Sequence, residues 1–409
     1  MKVLLIYPNI AGTLQIPMGL GYISSVLKEN GIEVYLWDGT FDSEEYLLSL
    51  VNAIGFSVIC FSALSPDYEY VKDLSIRLRD HTDAFFVIGG YHATFCAEEV
   101  YNSGLFQVVI KGEAEYVLLE YIKGLGSDIA PVGILQGRLA DINDLPWPDH
   151  DIFKRHFTKQ LNWELDIHER TGVFLTSRGC PFKCTYCSAE AMSKLHSGNF
   201  TRYRDIDDLL NEIDFAVVKY QMDNIWFTDE TFTVSKKHIL KFCDQYKQRV
   251  GIPFSIETRP DTVNYEVLEA LKHAGCTTIR MGIESGVDRI RNGIYNRNIS
   301  RETILRAFLM AKEIGLKTSS FNICGTPTET IEDIRATIDL NVECRVDQAK
   351  MTLLSVFPGT KMWDWVIEHG YQIRDKYPEN YYIDSNISHE TLTIPQLIKL
   401  RHELKEKIK

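Results

Sequence analysis

Three cysteines in one short loop constrain this chain more than any other feature. The stretch Thr176-Ser-Arg-Gly-Cys-Pro-Phe-Lys-Cys-Thr-Tyr-Cys187 sets Cys180, Cys184 and Cys187 in a C-x3-C-x2-C spacing. Thiolates this close in sequence can hold three irons of a cubane [4Fe-4S] cluster. Such clusters normally take four cysteines. The fourth iron therefore keeps an open position, the kind of site where a catalytic metal receives substrate or cosubstrate. A zinc knuckle and chance clustering are the competing readings. Zinc sites pair a C-x2-C unit with a second half of Cys or His, and no such half follows here. A disulfide framework belongs to small secreted chains, which this is not.

Length allows two or three domains. The chain is 45% hydrophobic and 24% charged, which supplies a sizeable core. A formal net charge of −12 argues against extended nucleic-acid binding. No apolar run is long enough to span a bilayer, so no membrane partner is expected. Met1-Lys-Val-Leu-Leu-Ile-Tyr-Pro reads as a buried strand, because Pro8 and Asn9 break it too early for a signal peptide. Nine cysteines, three of them in a metal motif, point to a reducing cytoplasm.

From the first residue to about 140, short apolar runs alternate with helical patterns. Val3–Tyr7, Glu33–Trp37, Val58–Phe61, Phe85–Ile88 and Gln107–Ile110 read as strands. Helical periodicity lies between them, over Pro17–Asn30 and Asp67–Arg79. This alternation predicts a doubly wound parallel sheet. Ligands of such sheets bind beyond the carboxyl ends of the strands. Asn9, Gly12 and Thr13 fall there, as do Ser62 and Ser65, the run Gly89-Gly90-Tyr91-His92, and Lys111-Gly112-Glu113. Ordinary loop chemistry explains each of these loops taken singly.

Asp144-Leu-Pro-Trp-Pro-Asp149 is a proline-rich linker, and Asp151–Glu169 is charged and aromatic without periodicity. Beyond it, Val173–Ser177 feeds the cysteine loop. Further strands are expected at Asn224–Thr228, Pro253–Thr258, Thr277–Ile283, Lys317–Ile323 and Gln348–Ser355. Helices are expected at Ile206–Tyr220, Val263–Ala274, Arg301–Ile314 and Thr330–Glu343. Six βα units result, with function expected at the strand carboxyl ends. The divisions are 1–140, a linker at 141–170, a core at 171–370 and an extension at 371–409. Thr393–Lys409 reads as a helix capped by Thr393, with Leu397, Leu400, Leu404 and Ile408 along one face.

The cysteine spacing, with Tyr186 before the last Cys, resembles the radical S-adenosylmethionine (SAM) enzymes. That resemblance implies a partial (βα)6 barrel. It also implies SAM on the fourth iron, cleaved after one-electron reduction to a 5′-deoxyadenosyl radical. Strand ends match in order. Asp229 and Glu230 stand where the family places an acidic element near the SAM amino group, and the alternative is a helix N-cap by Asp229 or Thr231. Arg259 suits the SAM carboxylate, or else an ion pair with Glu257 or Asp261. Met281-Gly-Ile-Glu-Ser-Gly286 matches the Gly-Ile-Glu-Ser-Gly element, offering Glu284 and Ser285 to SAM. Asn322-Ile-Cys-Gly-Thr-Pro-Thr-Glu-Thr330 departs from the usual Gly-x-Pro-Gly-Glu-Thr, since Thr328 replaces a glycine whose backbone can take positive φ. Cys324, if it faces the barrel interior, is a candidate hydrogen-atom donor to a substrate radical, as in radical epimerases. Packing is the favoured reading for a strand cysteine. Ser355-Val-Phe-Pro-Gly-Thr360 resembles the Pro-Gly-Thr element.

The first 140 residues resemble the cobalamin-binding domain that precedes the radical SAM core in one large subgroup. Gly89–Ala93 and Lys111–Glu115 are the matching pieces. There is no His between Tyr7 and Met18 to ligate cobalt. That fits both the subgroup, where cobalt lacks a protein His, and a domain that has lost cobalamin. The cofactor contacts implied are Asn9, Thr13, Ser62, Gly89, Gly90, His92, Gly112 and Glu113. The function implied is cobalamin-dependent methyl transfer to an unactivated carbon of a small-molecule substrate, with an electron donor such as flavodoxin or ferredoxin. The alternative is a radical SAM dehydratase, epimerase, cyclase or rearrangement enzyme without catalytic cobalamin. A cluster carrier is a third reading, which leaves the SAM elements unexplained.

Overall fold

The computed structural model describes all residues except 13–15, 126–130, 159–169, 379, 389–391 and 409. Thr13 and most of the charged, aromatic segment after the linker therefore lie outside the described residues. The chain divides into two compact units, Met1–His156 with Leu195–Ser197, and Phe157–Lys194 with Gly198–Lys409.

The first unit is built on a parallel sheet of β1 (Lys2–Tyr7), β2 (Glu33–Asp38), β3 (Val58–Ser62), β4 (Phe85–Gly89), β5 (Val108–Lys111) and β6 (Gly133–Gln136), in the order β2-β1-β3-β4-β5-β6. Val3, Leu4, Leu5, Ile6, Val58, Ile59, Phe86 and Ile88 are buried, because helices cover both faces of the sheet. The order reverses at β1, which pairs with β2 on one side and β3 on the other. That is a topological switch point, where a crevice opens beyond the strand ends. β6 is absent from the sequence expectation. It is a short, half-exposed edge strand with no apolar alternation to betray it.

The second unit carries β7 (Thr171–Phe174), β8 (Ser177–Arg178), β9 (Arg202–Tyr203), β10 (Asn224–Phe227), β11 (Phe254–Thr258), β12 (Cys276–Glu284), β13 (Lys317–Cys324) and β14 (Gln348–Leu353). Six of them form a parallel sheet in the order β14-β13-β12-β11-β10-β7, so each strand lies beside its successor of the same sheet. Caps set the helices between them. Asn264 caps Tyr265–Ala274, which stops at Gly275 with φ 109°. Thr330 and Asp333 form a capping box for Ile331–Glu343. The terminal helix Ile394–Lys407 starts on a Thr393–Gln396 capping box and buries Leu397, Leu400 and Leu404. No described helix is long and apolar enough to cross a membrane.

The strand expected over Val173–Ser177 is in fact two. β7 ends at Phe174, and Ser177-Arg178 pairs antiparallel with Arg202-Tyr203. The break has a local cause. Thr176 gives its backbone N–H to the Asp229 carboxylate and not to a neighbouring strand.

Candidate active site

The cysteine loop leaves the sheet at Thr176 and is fixed at its base by the end of β10. Asp229, buried, accepts the Thr176 N–H at 3.1 Å, the Thr176 hydroxyl at 2.7 Å and the Ser177 hydroxyl at 2.5 Å. Burial raises its pKa against the pull of those donors. Glu230 accepts the Gly179 N–H at 3.2 Å, one residue ahead of Cys180. Neither Asp229 nor Thr231 caps a helix. The next one begins at Lys236 with Ser235 as its cap. Asp229 thus has its oxygens committed to shaping the loop.

The three thiols influence one another. Burial pushes Cys187 up to about 11, and the neighbouring Cys184 and Cys180 push it the same way. Cys180 is raised too, chiefly by burial, and lies 3.5 Å from the Thr231 hydroxyl. Cys184 receives a hydrogen bond from the Arg259 guanidinium at 3.1 Å. Arg259 is fully engaged. It forks onto Asp261 at 3.0 Å, donates to the Arg297 carbonyl at 2.9 Å, and lies 3.7 Å over the Phe182 ring. Of the two sequence-based alternatives for Arg259, the ion pair with Asp261 is present.

Beside the loop, the end of β12 builds an ionic cluster. Glu284 adopts a left-handed backbone, φ 63°, and its carboxylate meets Arg297 at 3.0 Å. Arg297 also donates to the Tyr186 hydroxyl at 2.8 Å and the Gly282 carbonyl at 2.9 Å. Burial lifts the Glu284 carboxyl, with Arg297 and Tyr186 opposing it. The Tyr186 hydroxyl is held well above its ordinary range, again by burial. Arg297 Nε is buried with no partner among the described residues. Ser285 is wholly buried and its Oγ accepts the Val287 N–H at 3.2 Å. Gly286 is obligatory, since a Cβ there falls 2.3 Å from the Ala336 carbonyl oxygen.

Sequence reasoning missed Arg291 and Arg297. Arg291, fully buried, ties the Ser285 carbonyl at 2.7 Å to the Ile299 carbonyl at 2.9 Å. The segment between is a π-helical turn, Arg289–Ile294, a local distortion frequent at functional sites. No periodicity announces either arginine.

In the first unit the expected residues gather beyond the strand ends. Asn9 (φ 40°) is buried after β1 and donates to the Thr40 hydroxyl. Ser62 ends β3. Gly90 has φ 94°, and a Cβ there meets the Ala63 carbonyl oxygen at 2.7 Å. Gly112 has φ 83° and donates its N–H to the Thr94 hydroxyl at 3.1 Å. Glu113 accepts the Ala140 N–H at 2.8 Å. A Cβ at Gly12 meets nothing within 4 Å, and one at Gly89 meets only the Ile110 carbonyl oxygen, at 3.9 Å. The backbone there is open to approach. His92 is turned inward, stacked on Tyr68 at 4.0 Å with Nδ1 3.2 Å from the Ser65 hydroxyl. Burial pulls its pKa down to about 4. Asp38, a strand-end residue of β2, meets His156 at 2.7 Å in a buried pair, and His156 lay outside the sequence expectation.

Comparison with known proteins agrees with both halves of this geometry. The B12 binding domain family matches residues 10–122, and the radical SAM superfamily matches residues 174–340. The chain is a radical SAM enzyme with an N-terminal B12-binding domain. An uncharacterised methyltransferase of Pyrococcus horikoshii is 28% identical over 427 residues, covering 98% of this chain and 90% of the relative. The anaerobic magnesium-protoporphyrin IX monomethyl ester cyclase of Cereibacter sphaeroides is 24% identical over 403 residues, covering 89% of this chain and 63% of that protein. Among solved structures, the radical SAM methyltransferase TsrM of Kitasatospora setae, with cobalamin and a [4Fe-4S] cluster bound, superimposes with a TM-score of 0.74 at 18% identity. That match covers 91% of this chain and 77% of that one. It extends to the fold: a doubly wound sheet followed by a partial barrel of βα units.

For a radical SAM enzyme, the place of Cys324 decides whether it can reach a substrate. Side chains alternate along β13. Ser320 and Asn322 both bond Asn341 of the helix Ile331–Glu343. Cys324 shares their face, fully buried, while Phe321 and Ile323 on the other face are half-buried. The thiol therefore points toward the helix layer. The two-residue period of the strand thus supports packing, the reading already favoured from the sequence, over the hydrogen-donor role. Thr328 does adopt positive φ, 73°, and is tied down by Arg289, which donates to its hydroxyl at 2.8 Å and its carbonyl at 3.2 Å.

Proposed function

We propose that this radical SAM enzyme is a cobalamin-dependent methyltransferase acting on an unactivated carbon of a small molecule. The observation that carries the reading is a three-thiol loop in one unit and, in the other, a strand-end crevice whose backbone is open at Gly12 and Gly89. The relatives named methyltransferases give it direction. When bound, a [4Fe-4S] cluster would supply the electron that cleaves SAM, and cobalamin would carry the methyl group.

The chain's own residues have separable tasks in this reading. Cys180, Cys184 and Cys187 are the cluster ligands, a donor set of three thiols that leaves one iron for SAM. Asp229 and Glu230 hold the loop. Asp229 serves as a positioning residue, because its oxygens are taken by Thr176 and Ser177. Glu230, exposed beside Gly179, and the Glu284–Arg297–Tyr186 cluster flank the SAM position, with Arg297 Nε as a donor free for the ligand. Arg259 orients Cys184 and the 297 loop. In the first unit Asn9, Ser62, Gly89, Gly90, Gly112 and Glu113 shape the crevice for cobalamin through backbone and short polar groups. Ser285 shapes a turn. The protein is read as cytoplasmic, fed by an electron donor such as flavodoxin or ferredoxin.

The test is cobalamin content and SAM turnover after anaerobic purification from cobalamin-supplied cells. Near-stoichiometric cobalamin, with 5′-deoxyadenosine formed on reduction and a methyl group recovered on substrate, is the expected result. Cobalamin-free protein that still cleaves SAM would overturn methyl transfer.

A further inference from the structure

The helical segment following β4 carries chemistry that the cobalamin crevice does not use. His92 lies in the helix Tyr91–Phe95, Cys96 at the break after it, and Glu99 in the helix Ala97–Asn102. The break is mild, since the Cys96 N–H still bonds the His92 carbonyl at 2.8 Å. A spacing of four and then three residues therefore puts the three side chains on one face. A ring nitrogen of His92, the Cys96 Sγ and a Glu99 carboxylate oxygen lie within 4.8 Å of one another.

A second observation points to a ligand. His92 is 5% exposed, and its Nε2 is buried without a hydrogen-bond partner among the described residues. A buried ring nitrogen left unpaired is costly, so it calls for a cause. The other nitrogen explains how the ring is set. Nδ1 lies 3.2 Å from the Ser65 hydroxyl. If it donates there, Nε2 carries the lone pair. Metal-bound histidines are held in this way, with the remote N–H donated to a fixed acceptor that sets tautomer and ring angle. Tyr68, stacked on the ring at 4.0 Å, fixes the plane as well.

We propose that His92, Cys96 and Glu99 form a binding site for a zinc-like divalent cation. Thiolate, imidazole and carboxylate together suit a borderline-soft ion and disfavour calcium or magnesium, which take oxygen ligands. Cys96 loses its thiol proton to solvent as the sulfur–metal bond forms, and no electron moves. Side-chain torsions must close the triad, because a tetrahedral ion at about 2.0–2.3 Å from each atom needs ligand atoms nearer than the present spacing. Water fills the fourth position. The ion would pin the kinked helix pair that follows the Gly89-Gly90 strand end.

Free thiols of the cysteine loop would compete for zinc, so the experiment uses full-length protein with its [4Fe-4S] cluster reconstituted anaerobically and loose metal chelated away. Zinc is titrated against a chromophoric chelator, and Co(II) serves as a spectroscopic probe. Expected are one zinc per chain beyond the cluster and a thiolate-to-cobalt charge-transfer band. Both should disappear in Cys96→Ala while iron content and circular dichroism stay unchanged. Ser65→Ala should retain the site with zinc affinity reduced about tenfold to a hundredfold. His92→Gln gives an independent loss of binding. Zinc binding unchanged by Cys96→Ala, cobalt bound without a thiolate band, or no zinc beyond the cluster would each overturn the proposal.

Discussion

Removing the Asp229 carboxylate should both destabilise the second unit and impair cluster loading. Asp229, Thr176 and Ser177 are 1%, 0% and 3% exposed. In Asp229→Ala, the Thr176 N–H and the Thr176 and Ser177 hydroxyls lose their shared acceptor. The hydroxyls can rotate toward other oxygens, but the Thr176 N–H cannot. An unsatisfied buried donor costs about 1–3 kcal/mol. Adding the lost charge-assisted bonds and subtracting the relief of an expensive buried carboxylate leaves a net cost of about 3 kcal/mol. Asp229→Asn should cost roughly half as much, because it keeps one carbonyl acceptor but turns an NH2 toward donors. The readout is the shift of the urea unfolding midpoint together with iron bound per chain after reconstitution. The Ala variant should lose both stability and iron, and the Asn variant should fall between it and wild type. An Ala variant with an unchanged midpoint and full iron would refute the view that this carboxylate anchors the loop.

Arg297→Met should weaken SAM binding about tenfold, equivalent to about 1.4 kcal/mol, by leaving Glu284 and Tyr186 without their shared donor; equilibrium dialysis under anaerobic conditions measures it. Glu329, fully buried after β13 where it accepts the Gly325 and Thr326 N–H groups, supplies a pH signature. Burial raises its carboxyl to about 8, above the ordinary 4.5. A raised folded-state pKa means its stabilising effect is complete below the unfolded value and is lost as pH rises through about 8. Wild type should therefore lose about 3 kcal/mol between about pH 6 and about pH 9 that Glu329→Gln does not lose, read from unfolding midpoints across that range. Cys324→Ala should leave 5′-deoxyadenosine and methylated product formation within about twofold, and cost about 1 kcal/mol of stability for the emptied space. Selective loss of product would restore the hydrogen-donor role.

Most strands of the two main sheets were legible in the sequence, those of the first unit because parallel strands covered on both faces are continuous apolar runs. The half-exposed edge strand β6 and the short β8–β9 pair were not. The helices were legible from their apolar periodicity, and Thr393 caps the last one as expected, whereas Asn264 and Thr330 emerge as caps only in the structure. The cysteine spacing alone placed three thiols in one loop, since a loop that short cannot scatter them. Other parts came only from tertiary structure. Asp229 reads in sequence as an acid after a strand, and only its 53-residue reach to Thr176 makes it the anchor of the cysteine loop. Arg297 became part of the site because a left-handed Glu284 and a π-helical turn bring it back beneath Tyr186. Cys324 was assigned to the helix layer by the side-chain alternation shared with Ser320 and Asn322. Spacing within one loop or one helical face is local and survives in sequence. Partners chosen across separate strand ends are decided by the fold, because backbone geometry sets which side chains meet.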